Sequence, residues 1–313
     1  MNNILRGIWP TMITPYDEAG HVDYRAVKAI VDWYVQKGCD GIFAVCQSSE
    51  MFYLSLQERV DLARAVVDAA AGRIEVIASG HISDGMDKQL EELAAVSQTG
   101  AKAVVMVTNR LAAEEESDDV FIRNAQALLD ALPEVTFGLY ECPAPYKRLL
   151  TEKTLGWCAR SGRFAFLKDT CCDGPEITRR IGIITREAEK AGKAPLGLYN
   201  ANSMTLLESL RAGAAGFSGV MANLHPEIYR WLYDNWRREP EKAEKVQSAL
   251  TLLSSLESQG YPICAKQHMN DVGVKMTLIS RSREAEAFGY VQRETLRQAE
   301  IAEDWIMSLC GLR

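Results

Sequence analysis

Phe164-Ala-Phe-Leu-Lys168 is a short apolar run that ends on a lysine, and an amphipathic helical stretch follows it at about 174–191. A strand with no polar alternation suits burial on both faces, as in a parallel sheet covered by helices. Phe137-Gly-Leu-Tyr-Glu-Cys-Pro143 stands one unit earlier and is built the same way. Working outward, the pattern repeats along most of the chain. Strand-like runs occur at Ile8–Thr14 (ended by Pro15), Gly41–Val45, Glu75–Ser79, Ala103–Thr108, Val135–Tyr140, Phe164–Lys168, Leu196–Tyr199 and Gly216–Val220. Helical stretches separate them at about 23–37, 55–70, 84–98, 117–131, 151–160, 174–191 and 203–211. Gly38 and Gly100 stop two of these helices, and Ser55-Leu-Gln-Glu58 has the spacing of a capping box.

Strands that alternate with helices imply parallel pairing through crossovers. Eight such units predict closure into a (β/α)8 TIM barrel, which takes roughly 250 residues. An open doubly wound sheet would be expected to carry a Gly-rich phosphate loop after its first strand, and none is present. Past residue 225 the strand signal ends. His225–Arg238, Pro240–Gln259 and Glu284–Cys310 read as helices rich in Ala, Leu and Glu. The chain therefore divides into a barrel over 1–224 and a C-terminal helical region over 225–313, packed on the barrel.

Composition narrows the function. The 313 residues are 47% apolar and 25% charged, ordinary values for a globular chain, with a net charge of −7. An acidic surface argues against nucleic acid and anionic membrane as partners. Met1 to Pro15 lacks the apolar core of a secretion signal, and no run of about 18 apolar residues occurs, so a cytoplasmic protein is expected. The eight cysteines match no zinc or disulfide framework, and His21, His81, His225 and His268 are scattered. Neither a metal nor another cofactor is expected.

Barrel enzymes work at the C-terminal ends of their strands. The polar residues there are Gln47, Ser48, Ser49 and Glu50 after strand two, Tyr140 on strand five, Lys168 on strand six, Asn200 and Asn202 after strand seven, and Ser218 on strand eight. Lys168 is the most informative. Withdrawal from water disfavours the charged ammonium, and a neutral amine is the nucleophile that attacks a carbonyl carbon. Its structural alternative is a lysine that snorkels outward to pair with Asp169 or Glu141. Tyr140, ending the adjacent strand, could relay protons to and from such an amine. The small polar residues of Cys46-Gln-Ser-Ser-Glu50 can present donors to a carboxylate, or can simply form a turn. Glu50 reads as a brace or a lysine's partner rather than a base.

Together these residues resemble the dihydrodipicolinate synthase / N-acetylneuraminate lyase family of class I, Schiff-base aldolases. Gly7-Ile-Trp-Pro-Thr-Met-Ile-Thr-Pro-Tyr16, with Gly20 and Asp23, is similar to its first strand and turn. Cys46-Gln-Ser-Ser-Glu50 occupies the place of its Gly-Thr-Thr-Gly-Glu loop, Tyr140 to Pro143 that of Tyr-Asn-x-Pro, and Phe166-Leu-Lys-Asp169 that of Gly-x-Lys-x. Gly216 to Asn223 resembles its eighth strand. The resemblance implies that Lys168 forms the Schiff base and Tyr140 relays protons. It implies that Gln47 and Ser48 hold the carboxylate of a small 2-oxo acid such as pyruvate, while Ser218 lines the pocket; Ser49, where the family has a glycine, and Asn200, where its sugar-acid members have one, are further candidate substrate contacts. It also implies a homotetramer, a dimer of dimers.

The departures carry information too. The synthases' arginine after Tyr-Asn-x-Pro is replaced by Pro145, with Lys147 and Arg148 further on, and their tyrosine after strand four is missing from Thr108-Asn-Arg-Leu-Ala112. The chain is thus not a close match to the synthases proper. Gln47 is bulkier than the hydroxyl it replaces and alters the carboxylate site. The expected reaction is reversible aldol cleavage or condensation of a 2-oxo acid. The alternatives are dehydration of a 2-keto-3-deoxy sugar acid through the same imine, dihydrodipicolinate synthesis, and binding of a 2-oxo acid without turnover.

Overall fold

The computed structural model describes residues 6–312; residues 1–5 and 313, and with them the outer limits of the two regions set out above, lie outside it. Local chemistry starts four of the crossover helices. Asp23 accepts from the amides of Arg25 and Ala26 to begin α1 (Tyr24–Gln36). Ser55 and Glu58 exchange the reciprocal bonds of a capping box at the start of α2 (Leu56–Ala70). Thr151 caps α6 (Glu152–Ser161), and Asp173 caps α7 (Gly174–Lys190) with a proline in its first turn. The remaining crossover helices are α3 (Met86–Ser97), α5 (Asp118–Ala131) and α8 (Leu206–Ala212).

The eight strands are β1 (Gly7–Ile8), β2 (Gly41–Ala44), β3 (Glu75–Ala78), β4 (Ala103–Val107), β5 (Phe137–Tyr140), β6 (Phe164–Asp169), β7 (Gly197–Asn200) and β8 (Gly216–Phe217). All pair in parallel: β2 to β8 each with their sequence neighbours, and β1 with β8. Between β1 and β2 the amide of Phe43 donates to Pro10 O at 2.9 Å and that of Met12 to Phe43 O at 3.0 Å, which closes the barrel. The first strand is far shorter than the apolar run Ile8–Thr14. Pro10 has no N–H, so a continuous ladder is impossible there, and the run continues only as an isolated bridge from Thr11 to Phe43. The eighth strand is likewise shorter than Gly216–Val220, because the chain turns into a 3-10 helix at Val220–Asn223.

Large side chains fill the interior. Two glycines make the room: a Cβ on Gly41 would sit 2.4 Å from the Trp9 ring, and one on Gly138 would sit 2.1 Å from the Phe166 ring. His81 is part of this frame rather than of any catalytic group. Its Nδ1 accepts from Val107 N at 2.9 Å, its Nε2 meets Gln89 Oε1 at 2.8 Å, and burial lowers its pKa to about 4.

Beyond the barrel lie α9 (Pro226–Asn235), packed against β1, then α10 (Pro240–Leu253), α11 (Ile263–Asp271) and α12 (Tyr290–Cys310), which crosses α9, α10 and α11. Helix α11 was not legible as a periodic segment. Nor was α4 (Thr108–Leu111), a single turn that directly continues β4. No helix among the described residues is long and apolar enough to cross a membrane.

Candidate active site

A cavity of about 600 Å³ opens at the C-terminal ends of the strands. Gln47 and Ser48 line it from the loop after β2, Tyr140 from β5 and Lys168 from β6, joined by Glu50, Arg110, Tyr261 and Arg283. Register explains the central pair. Lys168 is paired with Tyr140 on one side and with Tyr199 on the other, so lysine and phenol project at the same level. The ammonium nitrogen lies 4.3 Å from the centroid of the Tyr140 ring and 5.5 Å from that of Phe43. Lys168 is 5% exposed, and burial lowers its pKa to about 8.

The carboxylates that could have paired with this lysine are engaged elsewhere. Glu141 and Asp169 are fully buried, and both are bound by Arg180 of α7, itself 1% exposed. Glu141 also accepts from Leu150 N at 2.7 Å and Thr170 N at 3.2 Å. Lys168 accordingly makes no ion pair among the described residues. The phenol of Tyr140 donates to Gln47 Oε1 at 3.3 Å, and Cys142 Sγ approaches the same oxygen at 3.6 Å. With that oxygen occupied, the Gln47 amide nitrogen is the end left to donate. Burial raises the Tyr140 pKa well above its usual value, so the hydroxyl keeps its proton.

The loop after β2 is held from the C-terminal region. Glu50 is 2% exposed and sits in the left-handed conformation at φ 60°. Its carboxylate meets Lys266 Nζ at 3.2 Å, Ser280 Oγ at 2.8 Å, Arg281 N at 2.6 Å and Ser282 N at 2.8 Å. Arg281 in turn grips Glu58 at 2.7 Å and Gly20 O at 2.8 Å. The segment that follows α11 is thereby pinned across the barrel mouth.

Comparison with known proteins places the chain in a family. The model of the dihydrodipicolinate synthetase family matches residues 4–286. The chain belongs to that family. Curated relatives include the 4-hydroxy-tetrahydrodipicolinate synthase of Thioalkalivibrio sulfidiphilus, 27% identical over 95% of this chain and 99% of its own length. That of Nitrosococcus oceani is 24% identical over 96% and 100%. Among solved structures, the chloride-inhibited synthase of Acinetobacter baumannii complexed with pyruvate superposes with a TM-score of 0.83 at 21% identity, over 99% of this chain and 100% of that one. A prophage protein of the family from E. coli K12, also in complex with pyruvate, gives 0.84 at 19% identity with the same coverage. These likenesses carry the barrel fold, and membership makes the chain an enzyme of the class I aldolase and lyase type.

Within the dihydrodipicolinate synthetase family framework, the residues singled out from sequence fall into three groups. Lys168, Tyr140, Gln47 and Ser48 converge on the cavity. Ser218 instead lines a tight space behind Lys168, with Trp9, Phe43, Ile77, Phe166 and Tyr199, and its hydroxyl is buried without a partner among the described residues. Ser49 and Asn200 are not brought to the cavity lining. Ser49 Oγ donates to Met12 O at 2.6 Å and accepts from Cys46 N, which shapes the loop. The Asn200 amide donates to Thr205 and Ser209 at 2.9 and 3.1 Å, and its oxygen accepts from Asn202 N at 2.7 Å, which ties down the loop after β7. Lys147 and Arg148 do not replace the missing arginine either, since they bond Thr170 O at 2.9 Å and Ala113 O at 2.7 Å. Sequence reasoning missed Arg110, Tyr261 and Arg283. Arg110 was legible in principle, standing three residues past a strand end. Tyr261 and Arg283 lie in segments without periodicity, and only the folded chain brings them to the mouth.

Proposed function

We propose that the enzyme forms a Schiff base between Lys168 and a small 2-oxo acid and catalyses aldol cleavage or condensation through it. One observation carries this reading: a buried lysine, without an ion pair among the described residues, faces a cavity beside a protonated phenol. The neutral amine attacks the keto carbon. Tyr140 passes a proton from nitrogen to the carbonyl oxygen, which leaves as water after taking a second proton from solvent, and an iminium remains. That cation draws electrons from the neighbouring carbon, so a bond from it to hydrogen or carbon can break or form. In this reading the Gln47 amide and the Ser48 hydroxyl receive the 2-oxo acid's carboxylate, Ser48 turning from Thr11 Oγ1, to which it donates at 3.1 Å.

Two features speak against the reaction that gives the curated relatives their name. Pro145 and Ala144 line the cavity after the Tyr140 strand, where the synthases carry an arginine. After β4 the chain forms α4, with Arg110 in place of a tyrosine loop. Assembly as a homotetramer and residence in the cytoplasm belong to the same proposal and are supported by family membership.

Incubation with pyruvate and borohydride, read by peptide mass spectrometry, tests the reading. Lys168 is expected to gain the mass of the reduced adduct. An unmodified protein after exposure to a panel of 2-oxo acids would overturn the proposal. Tyr140→Phe provides an independent check. Its turnover is expected to fall by about 10²–10⁴-fold, the usual contribution of a positioned proton donor, with KM nearly unchanged. Equal losses in kcat and in binding would remove the proton-relay role.

A further inference from the structure

We propose that Arg110 and Arg283 form a second anion subsite at the cavity mouth, and that the enzyme prefers 2-oxo acids that carry another carboxylate at their far end. The inference rests on Lys168 as the anchor of the keto group and goes on to name the substrate class.

The charge lining the cavity is strongly one-sided. Glu50 is the acidic side chain in the lining, and it is neutralised by Lys266 and surrounded by the Ser280 hydroxyl and the amides of Arg281 and Ser282. The cations lining the same space are Lys168, Arg110 and Arg283. Arg283 is exposed and makes no ion pair among the described residues, while its amide donates to Ser280 Oγ at 3.1 Å. The Glu50 cluster thus fixes where Arg283 enters the mouth without using its charge.

Arg110 is pre-set in a way a surface arginine is not. It is 8% exposed. Its Nε donates to Asn109 Oδ1 at 2.9 Å, and its Nη1 to Ile82 O at 3.2 Å and Asp84 Oδ1 at 2.6 Å. Asn109 is itself held by donation to Cys142 O at 2.9 Å and Ala144 O at 3.0 Å. Nη2 has no partner among the described residues. With Nε and Nη1 both engaged, the two N–H groups of Nη2 are left to donate, which suits a singly charged carboxylate better than a phosphate, which asks for more donors. Asp84 offsets that charge only in part, because its side chain is 90% exposed and water screens the pair.

Geometry sets the length of the substrate. Arg110 follows β4 and Lys168 ends β6, with β5 between them. Two strand spacings come to about 10 Å, a gap that a short diacid bridges with the help of the arginine's own reach. The family's synthases place an arginine after the Tyr140 motif. Here the charge comes instead from the turn after β4 and from the C-terminal segment, so the second anionic group lies in a different direction from the lysine.

The test compares 2-oxoglutarate with 2-oxopentanoate, a chain of equal length ending in a methyl group. Binding is measured by calorimetry on the wild type, Arg110→Gln and Arg283→Gln, with borohydride trapping run in parallel. The wild type is expected to bind the diacid at least tenfold more tightly, and each variant to shrink that gap to threefold or less. Equal affinities in the wild type, or a gap that survives both substitutions, would overturn the subsite. Arg283 is exposed, so its variant keeps the test decisive if Arg110→Gln does not fold. If no 2-oxo acid is trapped on Lys168 but the arginine-dependent gap persists, imine chemistry fails and the subsite stands. Trapping without a gap refutes the subsite alone.

Discussion

Lys168→Met is expected to abolish turnover and borohydride trapping while raising the melting temperature. Both effects have one cause. Burial lowers the pKa of Lys168 from 10.5 to about 8. At pH 7 the neutral fraction of the amine is then about 300-fold larger than for an ordinary lysine, and only that form adds to a ketone. Methionine is one atom shorter and has no amine, so activity should drop by more than about 10³-fold, as for loss of any group that forms the covalent intermediate. The stability gain follows from linkage. Below pH 8 the folded protein holds a charge it would rather not bury, at a cost on the order of 3 kcal/mol. As pH rises from about 8 towards 10.5, the folded state loses its proton before the unfolded chain does, and the penalty fades. The variant's advantage should therefore be greatest at neutral pH and shrink in alkali. Activity of the wild type should climb through pH 8 and level off. A variant no more stable than the wild type at pH 7, or a wild-type profile flat across pH 7–9, would count against a sheltered amine.

Arg180→Met is expected to be the most destabilising single substitution near the site. Arg180 is buried with Glu141 and Asp169, at the ends of the two strands that carry Tyr140 and Lys168. Its removal leaves two buried carboxylates without a cation, and breaking such a pair costs about 3–5 kcal/mol. Chemical denaturation of the variant measures this directly. The triple variant Arg180→Met, Glu141→Leu, Asp169→Leu should recover most of the loss, because no charge is then left buried. A loss below about 1 kcal/mol in the single variant would show that the carboxylates find water or other donors. A further expected consequence is catalytic: with Arg180 gone, the freed carboxylates become candidates to pair with Lys168 and hold it charged.

How far the sequence reveals the protein depends on whether the signal is local. Hydrophobic periodicity is local, and it places the strands that carry Tyr140 and Lys168 within a residue or two of their positions. Pro10 is local as well, but its effect on β1 depends on a partner strand, so the run looks longer than the ladder. Chemistry at a strand end is partly legible. Lys168 can be read because a lysine that closes an apolar run must be explained. Asn200 and Ser49 look the same in sequence, yet each turns its polar atoms to the backbone or to neighbouring hydroxyls that fold into reach. The tail is the least legible part. Lys266 is paired with a glutamate 216 residues earlier, and no spacing rule links them.

That separation has a consequence for a chain emerging from the ribosome. Glu50 leaves the exit tunnel about 10–40 s before Lys266, at ordinary elongation rates. Throughout that interval the loop bearing Gln47 and Ser48 lacks its anchor, while the strand bearing Lys168 can already be in place. Nascent protein thus passes through a stage with a scaffold but without a finished mouth. On the proposed chemistry, a nascent chain stalled before Lys266 is expected to trap less 2-oxo acid than the finished protein.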